Sequence, residues 1–121
     1  MSMREVVEGF YADWSRGDIN AALKQCTDDV VAVMGPAFTF KGKDDVKSFL
    51  QKLGRSMSNA HYKIKNVIEQ DNILMLEGEE NYTKREKDVC VPYMAIFFFE
   101  NGKIREWRDY FDLDTVMKQL A

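Results

Sequence analysis

The run Trp107-Arg108-Asp109-Tyr110-Phe111-Asp112 holds the strongest candidate for chemistry in the chain. In an extended strand side chains alternate, so Trp107, Asp109 and Phe111 share one face and Arg108 and Tyr110 the other. A carboxyl group between two large aromatic rings points into an apolar place. Desolvation there disfavours the charged form, lifts the pKa and makes a general acid or base that works near neutrality. The plainer alternative is a buried aspartate tied to backbone N–H groups, or to a Tyr or Arg.

Glu80 is the candidate partner. In the strand from Ile73 to about Lys84, Leu74, Leu76, Gly78, Glu80 and Tyr82 share the more apolar face, with Met75, Glu77, Glu79 and Asn81 opposite. An inward Glu80 would stand towards Asp109, and two carboxylates in one apolar site share a proton, giving an acid and a base together. The competing reading is a solvated glutamate within Glu77-Gly78-Glu79-Glu80, and a bulge at Gly78 would reverse the two faces. Tyr11, Tyr62, Tyr82 and Tyr93 could offer hydroxyls to a ligand but are expected as core or rim residues with their oxygens at the surface. His61 is expected in a solvated loop. Cys26 and Cys90 have no short ligand spacing, so no metal site is expected and both read as reduced structural thiols, with a disulfide between them left open. Met34, Met75 and Met94 belong with the core or a pocket rather than with a metal.

These groups need elements to hold them. Val6, Val7, Phe10, Tyr11 and Trp14 recur at helical spacing, and Gly17-Asp18 ends that helix and caps a second, from Ile19 to about Cys26. Thr27-Asp28-Asp29 reads as a turn into the strand Val30 to Met34, which Gly35-Pro36 breaks. After a short strand at Phe38-Thr39-Phe40, a third helix carries Asp44 and Asp45 at its start and Val46, Phe49, Leu50 and Leu53 towards the core. The second half alternates as sheet. Tyr62, Ile64 and Ile68 are set against Lys63, Lys65 and Val67, then come Ile73 to Lys84, Val89 to Phe99 and Ile104 to Phe111, with Asn101-Gly102 as a hairpin turn. A short helix, Leu113 to Leu120, closes the chain. Helices first and a meander after them make an α+β plan. Phe97-Phe98-Phe99 puts apolar residues on both faces of one strand, which suggests that the outer side of the sheet meets a second subunit.

Composition excludes other classes. The 121 residues suit one domain over 1–121, and 45% apolar with 31% charged residues builds a core under a wet surface. The net charge of −3 with scattered basic residues argues against nucleic acid and against an anionic membrane surface. No apolar run approaches the roughly 20 residues of a membrane span, and the N-terminus enters helical periodicity without an apolar signal region. A cytoplasmic protein is the expectation.

The element order and three passages resemble the nuclear-transport-factor-2-like superfamily. They are Phe10-Tyr11-Ala12-Asp13-Trp14-Ser15-Arg16-Gly17-Asp18, then Asp28-Asp29-Val30 with Gly42-Lys43-Asp44-Asp45-Val46, and Gly102 to Asp112. The last looks most like the limonene-epoxide-hydrolase and SnoaL-like (polyketide-cyclase-like) branches. The resemblance implies a cone, a strongly curved mixed or antiparallel sheet wrapped around three helices from the N-terminal half, with a short C-terminal helix and an apolar pocket. Phe10, Trp14, Met34, Leu76, Tyr82, Trp107 and Phe111 are then the expected ligand-pocket residues. It also implies a homodimer joined through the sheet.

Carried over residue by residue, Asp109 matches the epoxide hydrolases' carboxylate in this strand and Glu80 their second carboxylate, while Gly78 stands where their Arg belongs. Ala32 and Met34 stand where a Tyr and an Asn hold the attacking water. Phe10, Met34 and Ala95 occupy the working positions of the superfamily's ketosteroid isomerases, whose activity is therefore not expected. The leading expectation is a cofactor-free, metal-free enzyme, a hydrolase or an isomerase or cyclase. It would act on a small apolar molecule with Asp109 and Glu80 as catalytic groups and Arg108 or a Tyr as an orienting group. The alternative is a non-catalytic ligand-binding or dimerisation domain of the same fold.

Overall fold

In a computed structural model, described for residues 1–35 and 37–121, the chain forms α1 (Met3–Ser15), α2 (Ile19–Lys24), β1 (Cys26–Met34), β2 (Phe38–Lys41), α3 (Lys43–Arg55), β3 (Ser58–Gln70), β4 (Ile73–Lys84), β5 (Lys87–Glu100), β6 (Lys103–Phe111) and α4 (Leu113–Leu120). The expected break at Gly35-Pro36 lies partly outside the described residues. Among the described residues six strands form one mixed, curved sheet in the order β2-β1-β6-β5-β4-β3, in which only the β1–β6 pair is parallel. This is the α+β cone, with the sheet wrapped around the helices of the first half. Among the described residues no helix is long and apolar enough to cross a membrane.

Local chemistry sets the helices. Ser2 and Glu5 form a reciprocal capping box that starts α1, whose inward stripe is Val6, Val7, Phe10, Tyr11 and Trp14. Gly17 takes a φ of 83° beyond its end, and Asp18 caps α2 by accepting from the Ala21 N–H. Asp44 and Asp45 lie in the first turn of α3 and Lys52 and Arg55 in its last, complementing the helix dipole. Asp112 caps α4, which has no fully buried residue and rests Val116 and Leu120 on Tyr82, Val89 and Val91. Gln119 holds α4 in place. Its amide accepts from the Cys90 N–H at 2.9 Å and donates to the Cys90 carbonyl at 2.8 Å, beyond the stretch of β5 that β6 pairs with.

Three expectations about the strands are corrected. α2 ends at Lys24, and Thr27-Asp28-Asp29 lies within β1, because Cys26 already pairs with Ile104 across an irregular register. His61 lies inside β3, although exposed. A register shift between Ile64 and Asn66 reverses the alternation in β3, so Val67 packs on the core and Ile68 is 72% exposed. The Asn101-Gly102 turn does adopt two positive φ values, 51° and 78°.

Gly78 has a different role from the bulge expected at it. Pairing of β4 with β5 runs unbroken from Ile73 to Lys84, so the faces of β4 keep their alternation. A Cβ at Gly78 would sit 2.7 Å from the Lys63 carbonyl oxygen and 3.2 Å from the Tyr93 ring. The missing side chain therefore lets the bulged β3 and Tyr93 close over this point. Gly78→Ala is expected to destabilise by about 2 kcal/mol through overpacking, read from the midpoint of chemical denaturation. A neutral Gly78→Ala would refute this packing role.

Candidate functional site

The open end of the cone is a cavity of about 400 Å³. Three helices contribute through their inward faces: Phe10, Tyr11 and Trp14 from α1, Phe49, Leu50 and Leu53 from α3, and Leu113 and Val116 from α4. The sheet adds Tyr62 from β3, Glu80 and Tyr82 from β4, Val91 and Tyr93 from β5, and Trp107, Asp109 and Phe111 from β6. Met34 from β1 and Phe38 and Phe40 from β2 complete the edge, where Phe40 stacks on Phe49 with ring centres 4.3 Å apart.

Register explains how the two carboxyl groups meet. Glu80 lies opposite Tyr62 on one side and Val91 on the other, while Asp109 lies opposite Ala95 and Met34. Glu80 and Asp109 therefore flank β5, and Tyr93, between Val91 and Ala95 on its inner face, lies between them. Both are half-buried and reached through the cavity. Asp109 Oδ1 is shielded from solvent and has no hydrogen-bond partner among the described residues.

Burial pushes the Asp109 carboxyl up to about 8, with a further push from the Glu80 charge. Glu80 rises to about 7, again through burial, and the Tyr62 hydroxyl donating towards it offsets part of the rise. Among the described residues the wall is otherwise uncharged. Burial also raises the pKa values of Tyr11, Tyr62 and Tyr93, so these phenols stay neutral donors.

The tyrosines differ from the sequence expectation. The hydroxyls of Tyr11, Tyr62 and Tyr93 are not at the surface but bonded inside the cone. Trp14 Nε1 donates to Tyr62 Oη at 2.7 Å, and Tyr93 Oη donates to Tyr11 Oη at 2.9 Å. The Tyr11 and Tyr62 rings stack with centres 4.1 Å apart and planes 4° from parallel. A signal existed: Tyr11 belongs to the inward stripe of α1, and Tyr62 alternates with Ile64. What could not be read was that the hydroxyls would find one another.

Of the residues expected around the ligand, Phe10, Trp14, Met34, Tyr82, Trp107 and Phe111 lie in the cavity wall. Leu76 does not. It is 1% exposed in the core, because the inner face of β4 divides along its length: Leu74 and Leu76 are sealed below Gly78, and Glu80 and Tyr82 reach the cavity above it. Arg108 is no orienting group for Asp109. It lies on the other face of β6, paired with Glu106 at 2.5 Å and set over the Phe98 ring at 5.0 Å. Gly78 leaves no room for the arginine of an epoxide hydrolase. Cys26 and Cys90 are both free thiols, the first fully buried. Among the described residues no three His, Cys, Asp or Glu side chains gather into a possible metal site.

Residues 7–107 match the SnoaL-like domain family. No curated protein matches the sequence. Among solved structures, a protein of ketosteroid-isomerase-like fold from Catenulispora acidiphila, in complex with trimethylamine, superposes with a TM-score of 0.88 at 18% identity, over 98% of this chain and 93% of that one. A Shewanella denitrificans protein described as a SnoaL-like polyketide cyclase gives 0.88 at 16% identity, over 98% and 96%. An epoxide hydrolase of the limonene-epoxide-hydrolase-like type from M. tuberculosis gives 0.84 at 19% identity, over 98% and 91%. At these identities the likeness establishes the fold and no more.

Proposed function

The chain belongs to the SnoaL-like domain family, and from that premise we propose that it is a cofactor-free small-molecule enzyme that moves protons on a small, largely apolar substrate within the cone. The observation that carries this reading is Asp109: a carboxyl group whose Oδ1 has no partner among the described residues, in the wall of an apolar cavity that also holds Glu80. A carboxyl oxygen shielded from solvent and left unpaired costs stability, and a site for bond-making chemistry is a reason to keep one. Near neutrality Asp109 holds its proton and Glu80 is partly ionised. Glu80 then serves as the base and Asp109 as the acid, with the neutral phenol of Tyr11, which accepts from Tyr93, available to donate to a substrate oxygen.

Isomerisation or ring closure fits this wall better than hydrolysis. An attacking water needs polar groups to aim it, and here Ala32 is buried and Met34 offers only a thioether. The experiment is a product screen by mass spectrometry and chiral chromatography over enones, epoxides and polyketide-like compounds. Turnover of an enone or polyketide-like compound supports the reading. Binding across the panel without any turnover supports instead a ligand-binding domain that kept the pocket and lost part of its chemistry, a reading favoured by Ala32, Met34 and Gly78.

We place the protein in the cytoplasm as one domain over residues 1–121, joined as a homodimer through the outer face of the sheet. That face supports the dimer: Met75, Met94 and Tyr110 are 45%, 51% and 51% exposed on it. Met94→Glu is expected to convert a dimer to a monomer in sedimentation velocity with the cavity intact. A wild-type protein that sediments as a monomer would remove this part of the reading.

A further inference from the structure

The cavity wall has an unusual balance of chemistry. More than half of its lining residues are aromatic, it holds two carboxyl groups, and among the described residues it contains no Lys, Arg or His. An anionic ligand would find two acids and no positive group. A purely apolar ligand would cover Asp109 Oδ1 and leave it without a partner, the costliest state for a buried acceptor. A ligand with a positively charged N–H group resolves both problems. It donates to Oδ1, neutralises a carboxylate and meets ring faces, whose quadrupoles attract cations.

We infer that the cavity is selective for an organic ammonium, a molecule with an apolar body and one protonated amine seated between Asp109 and Glu80 against the rings of Trp107, Tyr62 and Tyr93. This rests on the reading of the cavity as the small-molecule site and names the class of molecule that it takes. The geometry gives each part a place. Glu80 and Asp109 flank β5 with Tyr93 between them, and Trp107 is next to Asp109 on the same face of β6. Phe38, Phe111 and Leu113, 60%, 42% and 59% exposed at the edge of the cavity, receive the apolar body.

Binding of this kind leaves a protonic signature. The titratable groups that face the seat are Tyr11 of α1, Tyr62 of β3, Glu80 and Tyr82 of β4, Tyr93 of β5 and Asp109 of β6. The tyrosines stay neutral, so the two carboxyl groups carry the linkage. An ammonium favours the ionised form of Glu80 and expels its residual proton on binding, while Asp109 keeps its own proton and accepts through Oδ1. A neutral ligand dries the site, favours the protonated forms and takes up a proton.

The test is isothermal titration calorimetry at pH 7.5, in phosphate and in Tris, with 4-phenylbutylamine, 4-phenylbutanol and 4-phenylbutyrate. The amine stays protonated here, because a primary ammonium loses its proton only near about pH 10. It is expected to bind about tenfold or more tightly than the alcohol and to release protons, with the alcohol releasing none and the acid weakest. Glu80→Gln should abolish the preference for the amine while the alcohol still binds. If the alcohol equals the amine, or the amine binds without proton release, the ammonium inference is overturned and the small-molecule cavity stands. If none of the three binds, the reading of the cavity as a ligand site falls as well.

Discussion

Asp109→Asn is expected to lower kcat by about 10²–10⁴-fold for whichever compound the wild-type protein turns over, with a smaller change in KM. Asparagine keeps the volume and can still donate a hydrogen bond, so the cavity and the ring contacts of Trp107 persist. What it cannot do is give up a proton. The pH profile makes the assignment of roles specific. Activity needs Glu80 ionised and Asp109 protonated, which predicts a bell with its rising limb near Glu80's pKa of about 7 and its falling limb near Asp109's, about 8. Glu80→Gln should remove the rising limb, and Asp109→Asn the falling limb from whatever activity remains. Wild-type turnover in Asp109→Asn would end the catalytic reading and leave a binding domain.

The parts of this site that follow from alternation were legible in the sequence. Trp107, Asp109 and Phe111 share the cavity face of β6 because the strand keeps period two from Glu106 to its end, past the register shift at Arg105, and Glu80 follows Leu74 and Leu76 inward because the β4–β5 pairing is unbroken. What alternation cannot report is depth along a strand. Leu76 and Glu80 share a face, yet one is sealed in the core and the other looks into the cavity, because helices cover only part of the sheet. Nor can it report a bulge in a neighbouring strand. The register shift in β3 turned Val67 inward and Ile68 outward, and its only trace in the sequence is the glycine that makes room for it on β4. The hydrogen bonds from the Tyr93 hydroxyl to Tyr11 and from the Trp14 indole N–H to Tyr62 join residues on different elements, so each half looks like an ordinary core aromatic until the chain is folded.

The carboxyl pair should also make the protein less stable as pH rises through neutrality, against the behaviour of salt-bridged acids. The ordinary values are 4.5 for Glu80 and 3.8 for Asp109, and in the folded protein they stand at about 7 and about 8. Above about pH 5 the unfolded chain has lost both protons while the folded protein still holds them. The native state then binds more protons than the unfolded state, and stability falls with each step up in pH. The loss ends above about pH 8, where both states are ionised. Each unit of difference is worth about 1.4 kcal/mol, and water admitted through the open cavity reduces the total to an expected fall of about 2–4 kcal/mol between pH 5 and pH 9. Glu5, Glu79 and Asp112 are held below the usual carboxylate range by hydrogen bonds from Ser2, Lys65 and Thr115. Their contribution is lost as pH falls and acts only below the window in question. Urea denaturation across pH 5 to 9 measures the slope, and the double variant Glu80→Gln with Asp109→Asn should flatten it and exceed the wild type in stability at pH 9. A wild-type protein whose stability rises over this range would show that the two carboxyl groups are solvated in the native state, and the acid–base reading of the cavity would lose its physical basis.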